Sequence, residues 1–442
     1  MVDASRRTDA APPRILYERH PNAGCAPLPA AYRPREPEKT VLYAIVRDHL
    51  ETFLAEPRGR DGDGYPAFLE REFRRYLHCG LLAHGFARLR CPDCGFERLV
   101  AFSCKGRLCP SCTGRRMADQ AASLVDDLLP EAPYRQWVLT FPWPLRFRLA
   151  VDRTLFGRLL GVSLRTLFAW QRRRGRALGI RDGEIGSVSF VQRFGGALNL
   201  NPHVHSLLPD GLFVPADEGT SALTFVPLPA PTPADIEALT FRIARRLTDV
   251  VERFSADDAE TQAVLESTAA ALREALATAL EPPLPRLGRE LDPPAMSEAL
   301  CAKIAGFTLH AARVVDAHDR DALQSLCRYG LRAPFSQQRL SRQEDGRVLY
   351  HLRRPWPNAG GASDLVLDPC EFLRRLAALV PAPYAHLVRY HGVFAGRPTR
   401  LDREGDSASN FLCADLGSGV YFCELRTRDG AVAQERRVML VR

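Results

Sequence analysis

Apolar residues recur at helical spacing over residues 40–55 (Val41, Leu42, Ile45, Val46, Leu50, Leu54), and Pro57 with the glycine-rich run 59–64 predicts a stop. A second amphipathic helix is predicted over 66–79, carrying Phe68, Phe73, Tyr76 and Leu77. Helical patterns follow at 117–129, 152–178, 234–254, 321–329 and 368–379. Between them lie short β-branched or aromatic runs bounded by Pro and Gly: 135–141, 187–193, 199–209, 307–314 and 386–394. Residues 335–340 and 347–353 predict a hairpin around Glu344-Asp345-Gly346, and 419–425 with 431–441 predict another. Strands joined by helices and hairpins in this order predict an α+β fold, an antiparallel sheet covered by helices. Residues 1–39 are Pro- and Arg-rich without periodicity and read as a flexible arm. Residues 256–300 read as an inserted helix plus linker.

The strand at 199–209 carries His203 and His205 on either side of Val204. Residues i and i+2 of a strand point to one face, so the two imidazoles converge. Pro202 opens the strand and Asp210-Gly211 turns it. Two ligands make half a metal site, and core packing is the other reading of the pair.

Of twelve cysteines, five fall within residues 91–112, a density that argues for metal over disulfides in a reducing compartment. Cys91-Pro-Asp-Cys94 and Cys109-Pro-Ser-Cys112 are two Cys-x-x-Cys knuckles, and four such thiolates suit one tetrahedral Zn²⁺. Cys104 stands close enough to replace a knuckle member, and Cys79 and His84 could belong to a second site. A redox pair, or buried structural cysteines, are the other readings.

Composition adds little until the charge is located. An apolar content of 46% supports a packed core, and no apolar run reaches the ~20 residues of a membrane span. No secretory segment is visible, so a cytoplasmic, nucleoid-associated location is expected. The net charge of +8 is almost all arginine. Arg172, Arg173 and Arg174 lie in an acid-free stretch, and Arg107, Arg115 and Arg116 flank the second knuckle. Guanidinium forks suit phosphate oxygens, which points to DNA, although a solvated helix face explains such a run as well.

Three separated motifs resemble one family, the rolling-circle insertion-sequence transposases, relatives of Rep and relaxase enzymes. Their histidine–hydrophobic–histidine (HUH) hallmark is matched by Asn199-Leu-Asn-Pro-His203-Val-His205, their zinc-binding domain by residues 91–112, and their nucleophile motif by Leu326-Cys-Arg-Tyr329 with Arg332 and Pro334. His386-Leu-Val-Arg-Tyr-His-Gly-Val-Phe394 is similar to the family's closing stretch. The resemblance implies a zinc-binding DNA-binding domain over 40–130 and an HUH nuclease domain over 131–396. Some members carry a second tyrosine four residues before the first; here that position is Ser325. The β-rich tail, 401–442, resembles immunoglobulin-like tails of surface proteins rather than the family's usual ending.

The chemistry so implied is transesterification of single-stranded DNA. His203 and His205 would hold Mg²⁺ or Mn²⁺, with Gln192 or Gln324 as third ligand, alongside a structural Zn²⁺. Tyr329 would attack phosphorus to form a 5′-phosphotyrosine. Free tyrosine has a pKa near ~10, so a neighbouring cation such as Arg328 is expected. Arg328 and Arg332 are also expected to contact DNA. Two rival readings stand beside this one: a zinc-dependent DNA-binding protein that has lost catalysis, and a metal-dependent hydrolase.

Overall fold

A computed structural model describes residues 35–61, 64–90, 97–216, 223–256, 270–279, 295–356, 361–395, 419–426 and 432–441. The chain divides into two compact units, Gly80–Phe102 with Leu412–Arg442, and Glu36–Cys79 with Ser103–Phe411.

The smaller unit is a four-stranded antiparallel sheet. Strands β1 (Phe86–Arg90) and β2 (Glu97–Ala101) form a hairpin braced by an Arg88–Glu97 ion pair. Cys91 and Cys94 lie outside the described residues. The C-terminal strands, β15 (Gly419–Arg426) and β16 (Val432–Val441), add to this hairpin: β16 pairs with β1, with Phe86 opposite Val441.

The larger unit begins with α1 (Val41–Asp61) and α2 (Ala67–His78). Helix α1 continues past Pro57, where the sequence predicts a stop; one proline removes a single i→i−4 bond, and the backbone carries on for another turn. Helix α3 (Pro110–Ser123) starts inside the second knuckle, seven residues earlier than its apolar period suggests, because Pro110 occupies its first turn. Strand β3 (Tyr134–Thr140) leads into α4 (Trp143–Val151), a helix that Pro142 and Pro144 conceal in the sequence by sitting at its start. Helix α5 (Arg153–Ala177) follows, N-capped by the Asp152 carboxylate, which accepts from the Leu155 amide at 2.8 Å.

The central sheet then forms from β4 (Gly186–Phe194) and β5 (Leu200–Pro209). A small hairpin, β6 (Gly211–Pro215) and β7 (Leu223–Pro227), precedes α6 (Pro233–Ala256) and α7 (Ala270–Thr278). Strands β8 (Ala295–Glu298), β9 (Cys301–Ile304) and β10 (Phe307–Val315) lead to α8 (Arg320–Gly330), which carries Tyr329. The three-stranded sheet β11 (Leu340–Arg342), β12 (Val348–Trp356) and β13 (Ala362–Leu367) comes next, then α9 (Pro369–Leu379) and β14 (Val388–Gly392). The seven-stranded sheet has the order β14-β4-β5-β3-β10-β9-β8, and every pairing in it is antiparallel.

Helices cover both faces of this sheet, so β5 is buried almost end to end, unlike the half-exposed strands common in antiparallel sheets. On one face Val204, Leu208, Trp137 and Leu139 pack with α5 and α6. On the other, Val188, Phe190 and Leu207 pack against Leu323, Leu326 and Cys327 of α8 and against Leu124 and Val125 after α3. A third core joins α1, α2 and α9. Residues 36–79 and 103–129 therefore share cores with the sheet rather than forming a body that ends at 130. Among the described residues no helix is long and apolar enough to cross a membrane.

Helix α8 comes close to β4 because its last residue is Gly330: a Cβ there would lie 2.6 Å from the Phe190 ring, which is 1% exposed and cannot retreat. Gly330→Ala should therefore destabilise the protein by about 1–3 kcal/mol through overpacking, read as a lowered thermal unfolding midpoint.

Candidate functional site

Antiparallel register places the histidines. His203 faces Gln192 on β4 and Thr140 on β3; His205 faces Phe190 and Val138. Both imidazoles lie on the sheet face covered by α8, with ring centroids 4.9 Å apart. The His203 Nδ1 is 2.7 Å from the Asn201 carbonyl oxygen, which fixes this nitrogen as the N–H donor and leaves Nε2 with its lone pair. Neither nitrogen of His205 has a partner although both are buried. An orphaned imidazole beside a second one held in a defined tautomer is a donor set that suits a divalent cation. Burial, above all, lowers both basicities: His203 to about 4, and His205 to about 2 with help from His203 and Arg332. Neutral imidazoles are the form a metal needs. Among the described residues no third His, Cys, Asp or Glu joins the pair.

Tyr329 stands edge-on to His205, ring centroids 5.5 Å apart, and remains 41% exposed, so the phenol can meet a substrate. Its helix is tied to the histidine strand's neighbour by Gln192, whose Nε2 donates to the carbonyls of Tyr329 at 2.8 Å and Gly330 at 3.0 Å. Gln192, expected as a third ligand, thus spends its amide N–H groups holding the end of α8. Its Oε1 has Arg332 Nε at 3.4 Å. Gln324, the other candidate, lies on α8 about 140° round the axis from Tyr329, whereas Ser325 shares the tyrosine's face. The cation at the phenol is Arg332, 4.6 Å over the Tyr329 ring, rather than Arg328, which is exposed. Burial, above all, lowers the pKa of half-buried Arg332, but an arginine keeps its charge.

Among the described residues the second knuckle gains partners that its spacing does not name, and Cys91 and Cys94 of the first lie outside them. Cys79, at the end of α2, and Cys104 join Cys109 and Cys112, all four sulfur atoms within 4.8 Å of one another. The separations Cys79–Cys112, Cys104–Cys112 and Cys79–Cys109 are 3.5, 3.6 and 3.6 Å. A tetrahedral zinc with ~2.3 Å bonds requires sulfur atoms about 3.8 Å apart, so the set fits a structural Zn²⁺. Backbone N–H groups of Cys104 and Gly106 donate to the Cys79 and Cys104 sulfurs, and Cys112 sits in the first turn of α3, where the helix dipole favours a thiolate. Hydrogen bonds, first of all from Cys104, push the Cys79 and Cys112 thiols down. The Glu72 carboxylate accepts from the Arg107 and Leu108 amides and holds the intervening loop. His84 belongs to the other unit, where it is exposed in a 3₁₀ turn.

The arginines divide. Arg107, Arg116 and Arg332 line one cavity of about 630 Å³ together with Lys105 and Arg193. Arg115 is exposed on α3. Arg172, Arg173 and Arg174 end α5, which covers the sheet face opposite the histidines; Arg174 lies over Trp170 and donates to the Ala230 carbonyl. Sequence reasoning did not single out Arg193, whose signal, a lone basic residue in an apolar strand, is weak.

Two outcomes follow from these environments. Cys79→Ser should lower zinc content, measured by release to a colorimetric chelator, and lower the unfolding temperature; full zinc retention would contradict the four-cysteine grouping. Because folding depresses both imidazole pKa values, the unfolded chain takes up protons below its pKa of about 6.5 that the folded chain refuses. Stability without added Mg²⁺ or Mn²⁺ should therefore fall as pH drops below about 6.5, by roughly 1 kcal/mol per unit for each histidine, with the His203 share levelling off near pH 4. Urea titrations of the wild type and of a His203→Gln/His205→Gln variant would measure it; equal pH slopes would contradict the assignment.

Comparison with known proteins finds two family models that match the chain. A family model described as "Putative transposase" matches residues 186–401, and one described as "Transposase zinc-binding domain", of the IS91 type, matches residues 45–141. The chain is 30% identical over 136 residues to the transposase for insertion sequence element IS801 of Pseudomonas savastanoi pv. phaseolicola, a match covering 30% of each chain. It is 25% identical over 314 residues to "Putative transposase y4qJ" of Sinorhizobium fredii (strain NBRC 101917 / NGR234), covering 70% of this chain and 69% of that one. No solved structure matches. With a zinc-binding domain and a transposase domain matched in that order, the chain belongs to the IS91/IS801 family of insertion-sequence transposases.

Proposed function

We propose that this transposase nicks and rejoins single-stranded DNA through Tyr329, as in rolling-circle transposition. The observation that supports this best is the neutral His203/His205 pair, of which His205 stands edge-on to a half-exposed tyrosine whose helix is clamped by Gln192. In the forward step the Tyr329 oxygen attacks a backbone phosphorus. The O–P bond forms, the bond from phosphorus to the 3′-oxygen breaks, and the departing strand leaves as a 3′-hydroxyl that takes up a proton. The 5′-phosphotyrosine keeps the energy of the broken ester, so a second 3′-hydroxyl can reverse the step without ATP.

A Mg²⁺ or Mn²⁺ held by His203 and His205 would supply charge to polarise the scissile phosphate. The chain's own residues do the rest. Gln192 holds the end of α8 and so sets where Tyr329 stands. Arg332 offers its guanidinium to the phosphate beside the phenol. Residues of α3 and α8, packed in one core, keep the helix seated on the sheet. The protein would act on single-stranded element ends in the bacterial cytoplasm, at the nucleoid.

Labelled single-stranded DNA carrying the element's end, incubated with Mn²⁺ or Mg²⁺, should yield a covalent adduct with wild type. Tyr329→Phe should lose it entirely, and His205→Ala should lower its yield by about 100-fold or more with DNA binding retained. Binding by the wild type without an adduct would favour the non-catalytic DNA-binding reading. Adduct formation undiminished in Tyr329→Phe would move the nucleophile elsewhere.

A further inference from the structure

The segment between α9 and β14 carries a tyrosine where neither packing nor backbone preference calls for one. Tyr384 is 88% exposed, so its ring contributes almost nothing to a core. Its φ is +60°, and the Ala385 amide donates to the Ala382 carbonyl at 3.2 Å, closing a turn with Pro383 and Tyr384 at its centre. Proline fixes its own φ near −65°, so this is a type II turn, whose third position favours Gly or Asn. A tyrosine there is strained, and strain of this kind at an exposed position points to use.

The turn is held rigidly by arginines. Arg153 donates to the Pro383 carbonyl at 3.1 Å, Arg107 to Ala385 at 3.0 Å and Arg389 to His386 at 3.4 Å. Arg193, from β4, donates to Ala150 at 2.7 Å and Ala378 at 3.4 Å, while its buried Nε has no partner. None of the four forms an ion pair with a carboxylate among the described residues. The segment also borders two cavities. One, of about 630 Å³, extends to Gln192, Gly330 and Arg332 beside Tyr329. The other, of about 430 Å³, is walled by Arg153, Arg193 and Arg389, includes Tyr384, and reaches Pro202, next to His203. An exposed aromatic ring therefore lines one arginine-lined hollow while the residues after it border a second, and each hollow ends at an element of the histidine–tyrosine site.

We propose that Tyr384 is a base-stacking residue for single-stranded DNA, with the flanking phosphates led over Arg153 and Arg389 on one side and Arg107 on the other, Arg193 lining both hollows. The proposal rests on the single-strand reading given above. Unpaired bases expose π-faces that stack on aromatic rings without regard to sequence, and uncompensated guanidinium groups attract the backbone. A ring preset by a strained turn loses little freedom on stacking.

Tyr384→Gly tests this, since glycine suits the turn. The variant should unfold at the same temperature as wild type or a higher one. It should bind a fluorescent oligothymidylate at least about five-fold more weakly, and Tyr384→Trp should restore binding. An oligothymidylate carrying 5-iododeoxyuridine should photocrosslink to Tyr384, located by mass spectrometry. Unchanged affinity in Tyr384→Gly, a lowered unfolding temperature, or no binding by the wild type would overturn the proposal. The Tyr329 adduct is read in parallel. Unchanged affinity with the adduct still formed removes the stacking role and leaves the strand-transfer reading standing. Weakened affinity with no adduct in the wild type supports the stacking role and removes the strand-transfer reading.

Discussion

The candidate site depends on one antiparallel ladder and one amide. The ladder sets His203 opposite Gln192 and His205 opposite Phe190 on β4, while β3 sets Thr140 and Val138 on their other side. The Gln192 side chain then reaches the last carbonyls of α8 and carries the position of Tyr329 back to the histidine strand. Gly330 permits that approach by presenting no Cβ to Phe190. A single shift of register would turn both imidazoles to the face covered by α5 and α6, where one of them would take the place of Val204 in an apolar core.

The zinc cluster serves the same geometry from farther away. Its thiolates join the end of α2 to the start of α3, and α3 with the turn after it packs on α8. Arg320, in the first turn of α8, donates to the carbonyls of Val125, Leu129 and Pro130 that follow α3. The metal module and the helix that carries Tyr329 are thus neighbours in one compact unit. In this transposase the zinc cluster supports the tyrosine's helix as well as presenting basic residues, and the cavity lined by Lys105, Arg107 and Arg332 lies where both contributions meet.

The arginines of the unit differ in the partners that their guanidinium groups take. Arg135 has Asp210 as a paired carboxylate at 2.6 Å, and it serves the sheet. Arg107, Arg153, Arg193 and Arg389 instead bond to backbone carbonyls, which satisfy donors without cancelling charge. Guanidinium groups arranged in this way fix a loop and still present a positive field to a polyanion.

Local pattern was enough to read much of this protein. The period of two in β5 put His203 and His205 on one face, the period of 3.6 marked α8 with Tyr329 on its last turn, and the knuckle at Cys109 and Cys112 announced metal. Each of these is a property of a few consecutive residues, set by backbone geometry alone. What tertiary structure decided lies between distant segments. Cys79 and Cys104, 25 residues apart, complete the thiolate set because the end of α2 shares a core with the residues that lead into α3. Arg332 rather than Arg328 reaches the phenol because α8 ends at Gly330 and the chain turns back. Gln192 became the helix clamp through the pairing of β4 with β5, and the arginine run of α5 fell on the opposite sheet face. Helix and strand periods are written in neighbouring side chains, whereas register, sheet order and the company each charge keeps arise only when segments far apart in the chain are packed together.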